Sequence, residues 1–494
     1  MGEPLIPMTT FAATVHRRRV VDDAVWIYAS SSAAVLRLDA VADAVLGAFL
    51  DGPKTVDAAL AAAAAAPGAA GIPSADLATT LRELVGLGLV RPLGESAPPA
   101  PTVPPMPYPL TTLVVNVTNA CNLSCTYCYE YGEDRLADRE RTDGTARRST
   151  MTVETARESV DFLFANSEGR PEITVTFFGG ETLLNWTVIE AAVAHAEARA
   201  KAEGRKVNFS LTTNATLLTD AIIDFLVDHT FGINISIDGA AEDHDRHRKF
   251  KSGEGSYELI LPKIRRLLEK NRARRGRPIG ARVTLTRGTK DVRGLFRHLT
   301  EDLGFDEVGL APVTAAKDRD WAFEPSDYHL LVDAFGALAD DYVDAASAGR
   351  HHGFSNLSDL LRELHTGTNK AHPCGAGLGL LGVSTEGDLG LCHRFVESGE
   401  HEIGSISEGI DSEKRAAFLD AGHISKRIDC HGCFARPVCS GGCYHEAYVR
   451  TGDASAPNLH ACDWIRAWTD IGLSSYARIM AKNPAWFDRH EVST

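Results

Sequence analysis

The stretch CNLSCTYC, residues 121–128, decides how the rest of the chain is interpreted. Its three cysteines, Cys121, Cys125 and Cys128, have the spacing C-x3-C-x2-C and directly follow a strand-like apolar run at 113–117. Four-iron clusters normally take four thiolates, so three thiolates would hold such a cluster by three corners and leave one iron open. An open iron can chelate a small ligand, which indicates chemistry rather than electron storage. A zinc knuckle or a chance grouping is the alternative interpretation of the triplet alone.

The composition is that of an ordinary globular protein without a nucleic-acid partner. The 494 residues are enough for roughly two to four domains. A formal net charge of −15 lacks the basic footprint of a nucleic-acid groove. One basic run, between Arg265 and Arg277, has helical spacing and predicts a solvated outer face. Because no apolar segment reaches the length of a membrane span and no signal-peptide core follows the N-terminus, we expect a cytoplasmic protein without a membrane partner.

Cysteine usage indicates metal or redox centres. The chain has ten cysteines, and in a reducing compartment these do not form structural disulfides.

Residues 1–95 are predicted to form a separate small domain of strands followed by helices. We expect Asp39 and Ser74 to cap helices, and Gly52-Pro53 to end the first helix. The predicted strands are 16–22, 24–29 and 34–38, and the predicted helices are 40–50, 55–65 and 74–87. Residues 96–109, SAPPAPTVPPMPYP, contain seven prolines and predict a semi-rigid linker at the domain boundary.

Between residues 110 and 368, strand-like and helical stretches alternate. Six β/α units of this kind predict a parallel, mostly buried sheet, whose site lies at the C-terminal ends of the strands. The charged segment 133–148 is predicted to be a loop that is mobile or ordered by substrate, and a helix is expected from about Thr152 to about Asn166. The expected strands are 113–117, 173–178, 207–212, 232–237, 281–286 and 307–313.

The cysteine triplet resembles that of the radical S-adenosylmethionine (SAM) enzymes, and Tyr127 fills that family's aromatic position before the third cysteine. The resemblance implies an α/β fold with a partial (β/α)6 barrel. It also implies that the open iron binds the amino and carboxylate groups of SAM, and that reduction cleaves SAM to a 5′-deoxyadenosyl radical.

Three further stretches resemble SAM-binding parts of this family. FFGGET resembles the GGE motif, which implies that Gly179, Gly180 and Glu181 contact the SAM amino group; Thr182 stands where relatives commonly have proline. LTTNATLL places Thr213 and Asn214 near the ribose by the same resemblance. SIDGAAEDHDRHR places Ser236 near the SAM carboxylate, with Arg282 on the next strand as its partner. For His244-Asp245 we expect a structural hydrogen-bonded turn rather than catalysis.

Seven cysteines follow residue 370 in the pattern C-x12-G-x4-C, then C-x2-C-x5-C-x3-C, then a last cysteine. A lone C-x2-C pair is typical of zinc, but the whole pattern resembles the SPASM extension of radical SAM maturases. The resemblance implies a SPASM domain over 369–494 with two auxiliary four-iron clusters, hence three [4Fe-4S] clusters in all. A nearer set would comprise Cys374, Cys392 and Cys443, and a farther set Cys430, Cys433, Cys439 and Cys462.

Leu380 stands where some relatives have a further cysteine. The nearer cluster would then have an open iron for a substrate thiolate, unless a carboxylate, a histidine or water fills it. His393 and Asp429, each beside a ligand cysteine, are candidate bases for a substrate thiol, and both are equally candidates for hydrogen bonding that tunes the clusters.

The order of elements in residues 1–95 resembles the winged-helix-like peptide-recognition domain of maturases that act on ribosomally made peptides. It implies a small peptide or protein substrate that adds a strand to this domain; a dimerisation lobe is the alternative. Within that group the segments NVTNACNLSCTYCYEYGED and LCHRF are most similar to the corresponding segments of the maturases of quinohemoprotein amine dehydrogenase. These install thioether links between cysteine sulfur and aspartate or glutamate methylene carbons.

Other activities remain open on the sequence. They are cross-linking of another ribosomal peptide by a thioether or carbon–carbon bond, and a non-catalytic iron–sulfur peptide chaperone or electron carrier. A sulfatase-type formylglycine maturase is disfavoured because that family has an aspartate at the position of His393. The family implies an electron donor such as flavodoxin or ferredoxin.

Overall fold

The structure is a computed structural model that describes residues 9–95, 101, 108–128, 136, 148–314 and 319–490. The predicted proline-rich linker and the predicted charged loop, residues 133–148, lie almost entirely outside these described residues.

The N-terminal lobe contains two small antiparallel sheets and three helices. The three predicted strands are confirmed as one of these sheets, and the other consists of two- to four-residue strands too short to give a periodic signal. The elements are β1 (Thr10–Ala13), β2 (His16–Val21), β3 (Ala24–Ala29), β4 (Ala34–Leu38), α1 (Ala40–Gly47), β5 (Lys54–Thr55), α2 (Val56–Ala64), α3 (Ser74–Gly86) and β6 (Val90–Pro92). The sheet orders are β5-β1-β6 and β2-β3-β4.

One of the predicted caps is confirmed. The Asp39 carboxylate accepts the backbone N–H of Ala42 at 2.8 Å, which satisfies one of the free donors at the start of α1. The prediction for Ser74 is wrong, because Ser74 is itself the first residue of α3 and the N-cap is Pro73. Gly52-Pro53 does not end the first helix, which already ends at Gly47.

A parallel run of six strands forms the centre of the molecule, as predicted. Along β8, Ile173, Val175 and Phe177 are buried, whereas the intervening Thr174 and Thr176 are partly exposed. This alternation gives the sheet one dry face and one accessible polar face. The elements are β7 (Thr112–Thr118), α4 (Val153–Ala165), β8 (Glu172–Gly179), α5 (Trp186–Glu203), β9 (Lys206–Thr213), α6 (Asp220–Asp228), β10 (Gly232–Ser236), α7 (Ala241–His247), α8 (Tyr257–Arg274), β11 (Gly280–Leu285), α9 (Val292–Arg297) and β12 (Glu307–Pro312).

The basic run lies on α8, opposite the acidic side of α6. Three ion pairs, Arg266–Asp220, Lys270–Asp224 and Arg274–Asp228, join the two helices across their exposed sides. Exposed ion pairs of this kind contribute little to stability, because water and salt screen them. The run therefore lies on an outer face, as predicted, with its charge partly neutralised by a neighbouring helix.

The C-terminal region extends the same sheet, which the sequence did not predict. β13 pairs parallel with β7, and the sheet order is β12-β11-β10-β9-β8-β7-β13-β14-β15-β16. The elements are α10 (Tyr328–Ser347), α11 (Ser355–His365), β13 (Leu380–Val383), β14 (Asp388–Gly390), β15 (Glu402–Ser405), β16 (Gly409–Ile410), α12 (Ser412–Gly422), α13 (Arg436–Cys439), α14 (Tyr444–Thr451), α15 (Cys462–Lys482) and α16 (Ala485–His490). In the described part of the chain, no helix has the length and apolar character needed to cross a membrane.

Candidate active site

The first cysteine loop lies at the C-terminal end of β7. The thiol groups of Cys121, Cys125 and Cys128 are close enough to influence one another electrostatically. The loop is held from outside: the Ser124 N–H donates to the Lys249 carbonyl oxygen at 2.7 Å, and the Thr126 hydroxyl contacts His247 Nδ1 at 2.6 Å.

Burial raises the pKa of the Cys121 thiol to about 11 and the pKa of the Cys125 thiol to about 12. Both thiols are therefore protonated at neutral pH unless a metal takes the place of the proton.

The end of β8, at Gly179 and Gly180, packs directly against the backbone that leads into this loop. The Gly180 N–H donates to the Thr118 carbonyl oxygen and the Glu181 N–H donates to the Ala120 carbonyl oxygen, both at 2.9 Å. A Cβ on Gly179 or Gly180 would overlap the backbone of Thr118 or Ala120, and Gly179 has a φ of +137°. Close packing of β8 against the cysteine loop thus requires glycine at both positions.

Glu181 is buried at the junction of two strand ends. Its carboxylate accepts hydrogen bonds from the Leu183 N–H at 3.1 Å, the Thr213 hydroxyl at 2.6 Å and the Asn214 N–H at 2.7 Å. Burial raises the pKa of this carboxyl, and the three hydrogen bonds oppose that rise. A carboxylate can accept about four hydrogen bonds. Glu181 therefore uses most of its acceptor positions to join the ends of β8 and β9.

Asn214 connects this junction to the first cysteine. Its side-chain amide lies 4.0 Å from Cys121 Sγ and donates to Asn122 Oδ1 at 3.0 Å, while its Oδ1 accepts from the Thr216 hydroxyl at 2.6 Å. The Asn122 amide in turn donates to the Thr216 hydroxyl at 2.8 Å. Sequence reasoning missed Asn122 and Thr216, whose one available signal was their place beside Cys121 and Asn214.

Tyr127 belongs to a buried polar cluster below the loop. Its hydroxyl donates to Asp238, which also pairs with Arg248 at 2.9 Å, and the Arg248 guanidinium lies 5.5 Å from the Tyr127 ring centre. Burial raises the pKa of Tyr127 well above its ordinary value. These contacts fix the ring that precedes the third cysteine.

The His244-Asp245 pair is structural, as expected. His244 Nδ1 accepts the Asp238 N–H at 3.3 Å, and its Nε2 contacts the Ser256 hydroxyl at 2.9 Å. Asp245 accepts the N–H groups of Ser256 and Tyr257 at the start of α8.

Ser236 and Arg282 lie side by side on the accessible face of the sheet. They are direct partners in the β10–β11 register. Ser236 is partly exposed and Arg282 is exposed, and Arg282 Nε donates to Asn234 Oδ1 at 3.3 Å. The structure thus places Ser236 at the C-terminal end of β10 and Arg282 within β11, on the same face.

The later cysteines group into two sets. Electrostatic interaction links Cys392 with Cys374 and Cys443 in the nearer set. In the farther set, Cys439 interacts with Cys430, Cys433 and Cys462. A cavity of about 260 Å³ is lined by all four cysteines of the farther set and by Cys443.

The donor sets fit iron–sulfur clusters by their chemistry. Each of the three groups of thiols is enclosed within one locality of the fold, and ten free cysteines occur in the described residues. There, no group of three or more His, Cys, Asp or Glu side chains converges as ligands of a single metal ion would. The thiolates of a four-iron cluster each bind a different iron, so such a cluster does not require convergence on one point.

Comparison with known proteins agrees with this geometry. Residues 115–285 match the family model of the radical SAM superfamily. We refer to these residues, which match that model, as the radical SAM domain.

Similarity to characterised maturases extends beyond the radical SAM domain. The chain is 25% identical to a serine-type anaerobic sulfatase-maturating enzyme of Bacteroides thetaiotaomicron, over 74% of this chain and 89% of that protein. It is 24% identical to a cysteine-type anaerobic sulfatase-maturating enzyme of Clostridium novyi, over 74% of this chain and 96% of that protein. The solved structure of anSMEcpe with bound AdoMet and the Kp18Cys peptide shares the fold, with a TM-score of 0.57 at 18% identity, over 78% of this chain and 99% of that chain.

His393 and Asp429 lie in different settings around the radical SAM domain. The His393 ring packs against Phe178 near the end of β8, with 4.7 Å between ring centres, and burial lowers the pKa of His393 to about 3. Asp429 is exposed and lines the farther-set cavity. The structure therefore places His393 between the radical SAM domain and the nearer set, and Asp429 outside that junction.

Glu397 is a junction residue that sequence reasoning missed. Its carboxylate accepts two hydrogen bonds from the Asn119 amide, both at 2.8 Å, and the side chain is buried. Glu397 has a φ of +62°, a conformation uncommon for residues other than glycine. It joins the loop before Cys121 to the loop after Cys392.

Proposed function

We propose that this chain is a radical SAM peptide maturase that forms thioether links between cysteine sulfur and aspartate or glutamate methylene carbons. Its substrate on this proposal is a small ribosomally made protein of the amine dehydrogenase small-subunit type. The observation that carries the finer part is the three-cysteine nearer set, beside which Leu380 takes the place of a fourth thiol.

Leu380 lies next to the Cys374 loop. Its N–H donates to the carbonyl oxygen of Gly375, the residue after Cys374, at 3.0 Å. A cysteine here would be a near neighbour of the set, whereas leucine offers no ligand atom. An open iron would accept a substrate thiolate and remove the need for a strongly basic side chain.

Bound SAM and a reduced cluster at Cys121, Cys125 and Cys128 would supply a radical that abstracts hydrogen from carbon. The chain's own residues would hold SAM in place: Ser236 and Arg282 toward its carboxylate, with the Arg282 charge strengthening that bond, and the backbone around Gly180 toward its amino group. Thr213 and Asn214 would line the ribose side, and Glu181 would fix the strand ends that carry these groups.

The proposed link has a simple balance. The carbon-bound hydrogen goes to the adenosyl group, the sulfur-bound hydrogen leaves as a proton, and one electron leaves the substrate through the auxiliary centres. His393 or Asp429 would receive the proton; burial makes the His393 ring a weak base, so this step depends on coordination that lowers the pKa of the substrate thiol. An external donor such as flavodoxin or ferredoxin would deliver the electron that starts the reaction.

The N-terminal lobe would bind the peptide at the free side of β4. β4 is at the edge of its sheet with β3 as its strand neighbour, and an edge strand offers unpaired backbone groups to an added strand. The opposite edge strand, β2, faces α15 through Arg17 and Arg19, which both contact Asp470. In this proposal β4 is the docking edge; Arg17 and Arg19 attach one face of β2 to α15, and β4 has a helix neighbour of its own in α11.

A second candidate is the oxidation of a serine or cysteine to formylglycine. The similarity to sulfatase-maturating enzymes over about three quarters of the chain favours it. The histidine at position 393 speaks against it, because that family has an aspartate there. This candidate needs no open auxiliary iron.

Mass spectrometry of a co-expressed candidate peptide separates the two reactions. A thioether link removes two hydrogens and leaves the cysteine resistant to alkylation, whereas formylglycine formation creates a carbonyl that reacts with hydrazides. A Leu380→Cys variant should lose cross-linking but keep SAM cleavage, and Leu330→Cys, on an exposed part of α10, should keep both. Full cross-linking by a Leu380→Cys enzyme with a demonstrably closed cluster would contradict the proposal.

A further inference from the structure

Arg427 is a buried arginine with unused hydrogen-bond donors. The residue is 2% exposed. Its Nη1 donates to the Ser440 carbonyl oxygen at 3.2 Å, and the guanidinium lies 5.0 Å from the centre of the Tyr444 ring. Its Nε and Nη2 atoms are buried, and neither has a hydrogen-bond partner within the part of the chain that the structure describes.

No carboxylate in the described residues forms an ion pair with Arg427. Asp453 is near enough for its charge to be influenced by Arg427, but the Asp453 carboxylate is already bonded to Ser455. Removing an unpaired guanidinium from water is strongly unfavourable, and buried donors without acceptors add to that cost. The protein alone therefore leaves this charge uncompensated.

Other buried arginines of this chain are satisfied by protein atoms. Arg415 Nε donates to the Gly377 carbonyl oxygen at 2.7 Å, and its Nη2 donates to the Leu378 and Tyr108 carbonyl oxygens. Arg248 pairs with Asp238. Among the described residues one other arginine, Arg436, has a buried donor atom without a partner, its Nε, so two such donors on one guanidinium distinguish Arg427.

The surroundings of Arg427 indicate which anionic group could pair with its guanidinium. Its charge acts on Cys374 of the nearer set and on Cys430 of the farther set, so the guanidinium lies within electrostatic range of thiols of both sets. Gly441 makes room for it: a Cβ there would overlap the guanidinium, and Gly441 has a φ of +93°. The absence of a side chain at Gly441, between Cys439 and Cys443, therefore leaves the space that the Arg427 guanidinium occupies.

We propose that Arg427 is a shared counter-ion of the two auxiliary clusters, donating Nε–H and Nη2–H to their sulfur atoms. The inference rests on the proposed function, which supplies the clusters. Thiolate-bound clusters are anionic and become more so on reduction, so a neighbouring cation stabilises the reduced form. Hydrogen bonds to cluster sulfur have the same effect on reduction potential. Arg427 is on this account a positioning and tuning residue rather than a catalytic one.

The test is a redox titration of the anaerobic, cluster-loaded full-length protein, followed by electron paramagnetic resonance. Arg427→Met keeps much of the side-chain length and removes charge and donors. We expect the ratio of oxidised to reduced auxiliary cluster at a given potential to rise at least tenfold. For a one-electron couple this corresponds to a reduction potential about 59 mV more negative. The cluster of Cys121, Cys125 and Cys128 should keep its potential. Arg205→Met is the matched control, because Arg205 donates to Arg170 and Ser167 in the radical SAM domain.

Unchanged auxiliary potentials in Arg427→Met would overturn the inference. If that variant does not retain its auxiliary iron, Arg427→Gln takes its place, since glutamine keeps hydrogen-bonding atoms without the charge, and the same two results decide. If the wild-type protein cleaves SAM and shows the auxiliary cluster signals, but the Arg427 variant has the same cluster potentials, only this inference is refuted. Wild-type protein without auxiliary signals would refute the cluster assignment on which the proposed function depends.

Discussion

Gly180 shows how a single missing side chain positions the candidate active site. Its backbone and that of Glu181 are bonded to Thr118 and Ala120, immediately before Cys121. The sequence pattern suggested that the glycines admit a ligand. The structure adds that they first admit the cysteine loop itself, because any Cβ would meet backbone atoms that cannot rotate away.

We predict that Gly180→Ala displaces the Cys121 loop and weakens both iron retention and SAM binding. Overpacking against backbone costs about 1–3 kcal/mol. Iron analysis and SAM binding by calorimetry check this. Gly336→Ala, in α10 with only a van der Waals neighbour at 3.9 Å, should leave both properties intact. Equal behaviour of the two variants would contradict the packing role of Gly180.

His244 provides a pH-dependent contribution to stability. Burial lowers the pKa of His244 to about 4, from an ordinary value of 6.5. Between these two pH values the unfolded chain binds more protons than the folded chain, so stability falls as pH falls from about 6.5 to about 4. The shift corresponds to roughly 3 kcal/mol.

We predict that His244→Gln flattens this part of the stability curve. Urea unfolding of the cluster-loaded protein at pH 7 and at lower pH measures the effect, with His329→Gln as the control, because His329 is exposed on α10. A His244→Gln protein that loses as much stability on acidification as wild type would refute the assignment.

At the scale of elements, β2 divides its arginines between two partners. Arg17 and Arg19 project to α15, where Asp470 accepts from Arg17 Nε at 2.7 Å and from Arg19 Nε at 3.0 Å. Arg18, on the other face, pairs with Asp43 inside the lobe at 2.8 Å. This alternation is the period of a strand, and it makes one face of β2 an attachment surface.

We predict that Asp470→Asn loosens the lobe more than Asp43→Asn does. Asp470 is mostly buried and pairs with two arginines, and asparagine removes the negative charge and one of the two acceptor oxygens, at a cost of about 1–3 kcal/mol. The exposed Arg18–Asp43 pair is worth about 0–1 kcal/mol. Hydrogen exchange should accelerate in β2 and in residues 430–436 of the first variant. Identical exchange in both variants would contradict the attachment role.

The accuracy of sequence-based prediction differed between elements for physical reasons. The six parallel strands carry either a buried apolar run, as in β7, or alternating buried and partly exposed residues, as in β8, and all six were predicted within a residue or two. β13 and β14 are four and three residues long, each contains a glycine, and β13 pairs with β7, which is distant in the chain, so local pattern gave no signal. Likewise the spacing of the first three cysteines and the resemblance of the later seven to a known pattern divided the ten into three sets, but nothing local revealed Glu397 or the free donors of Arg427.

At the scale of the whole molecule, the lobe is less independent than its linker suggested. Its own core includes Ile27, Leu46 and Leu81, yet Tyr28 is buried in the main core. The Ser30 hydroxyl donates to the Cys433 carbonyl oxygen at 3.2 Å, and Arg436 donates to the Ser30 carbonyl oxygen at 2.7 Å. Deleting residues 1–95 would therefore expose the loop of the farther set, and point variants such as Asp470→Asn test the lobe more cleanly.

One continuous sheet carries both the Cys121 loop and the loop of the nearer cysteine set. β7 leads into Cys121 and pairs with β13, which follows the Cys374 loop. The Asn119–Glu397 contact joins the two regions again at the end of β7. We expect from this arrangement that substrate chemistry takes place between the Cys121 loop and the nearer set.

The central claim is that Cys121, Cys125 and Cys128 form the radical-generating centre of a peptide maturase. It is tested most directly by 5′-deoxyadenosine formation from SAM in the anaerobically reduced protein. The account predicts that wild type forms this product, and that the variant with all three cysteines replaced by alanine forms none while its auxiliary iron remains. Undiminished 5′-deoxyadenosine formation by that variant would contradict the account.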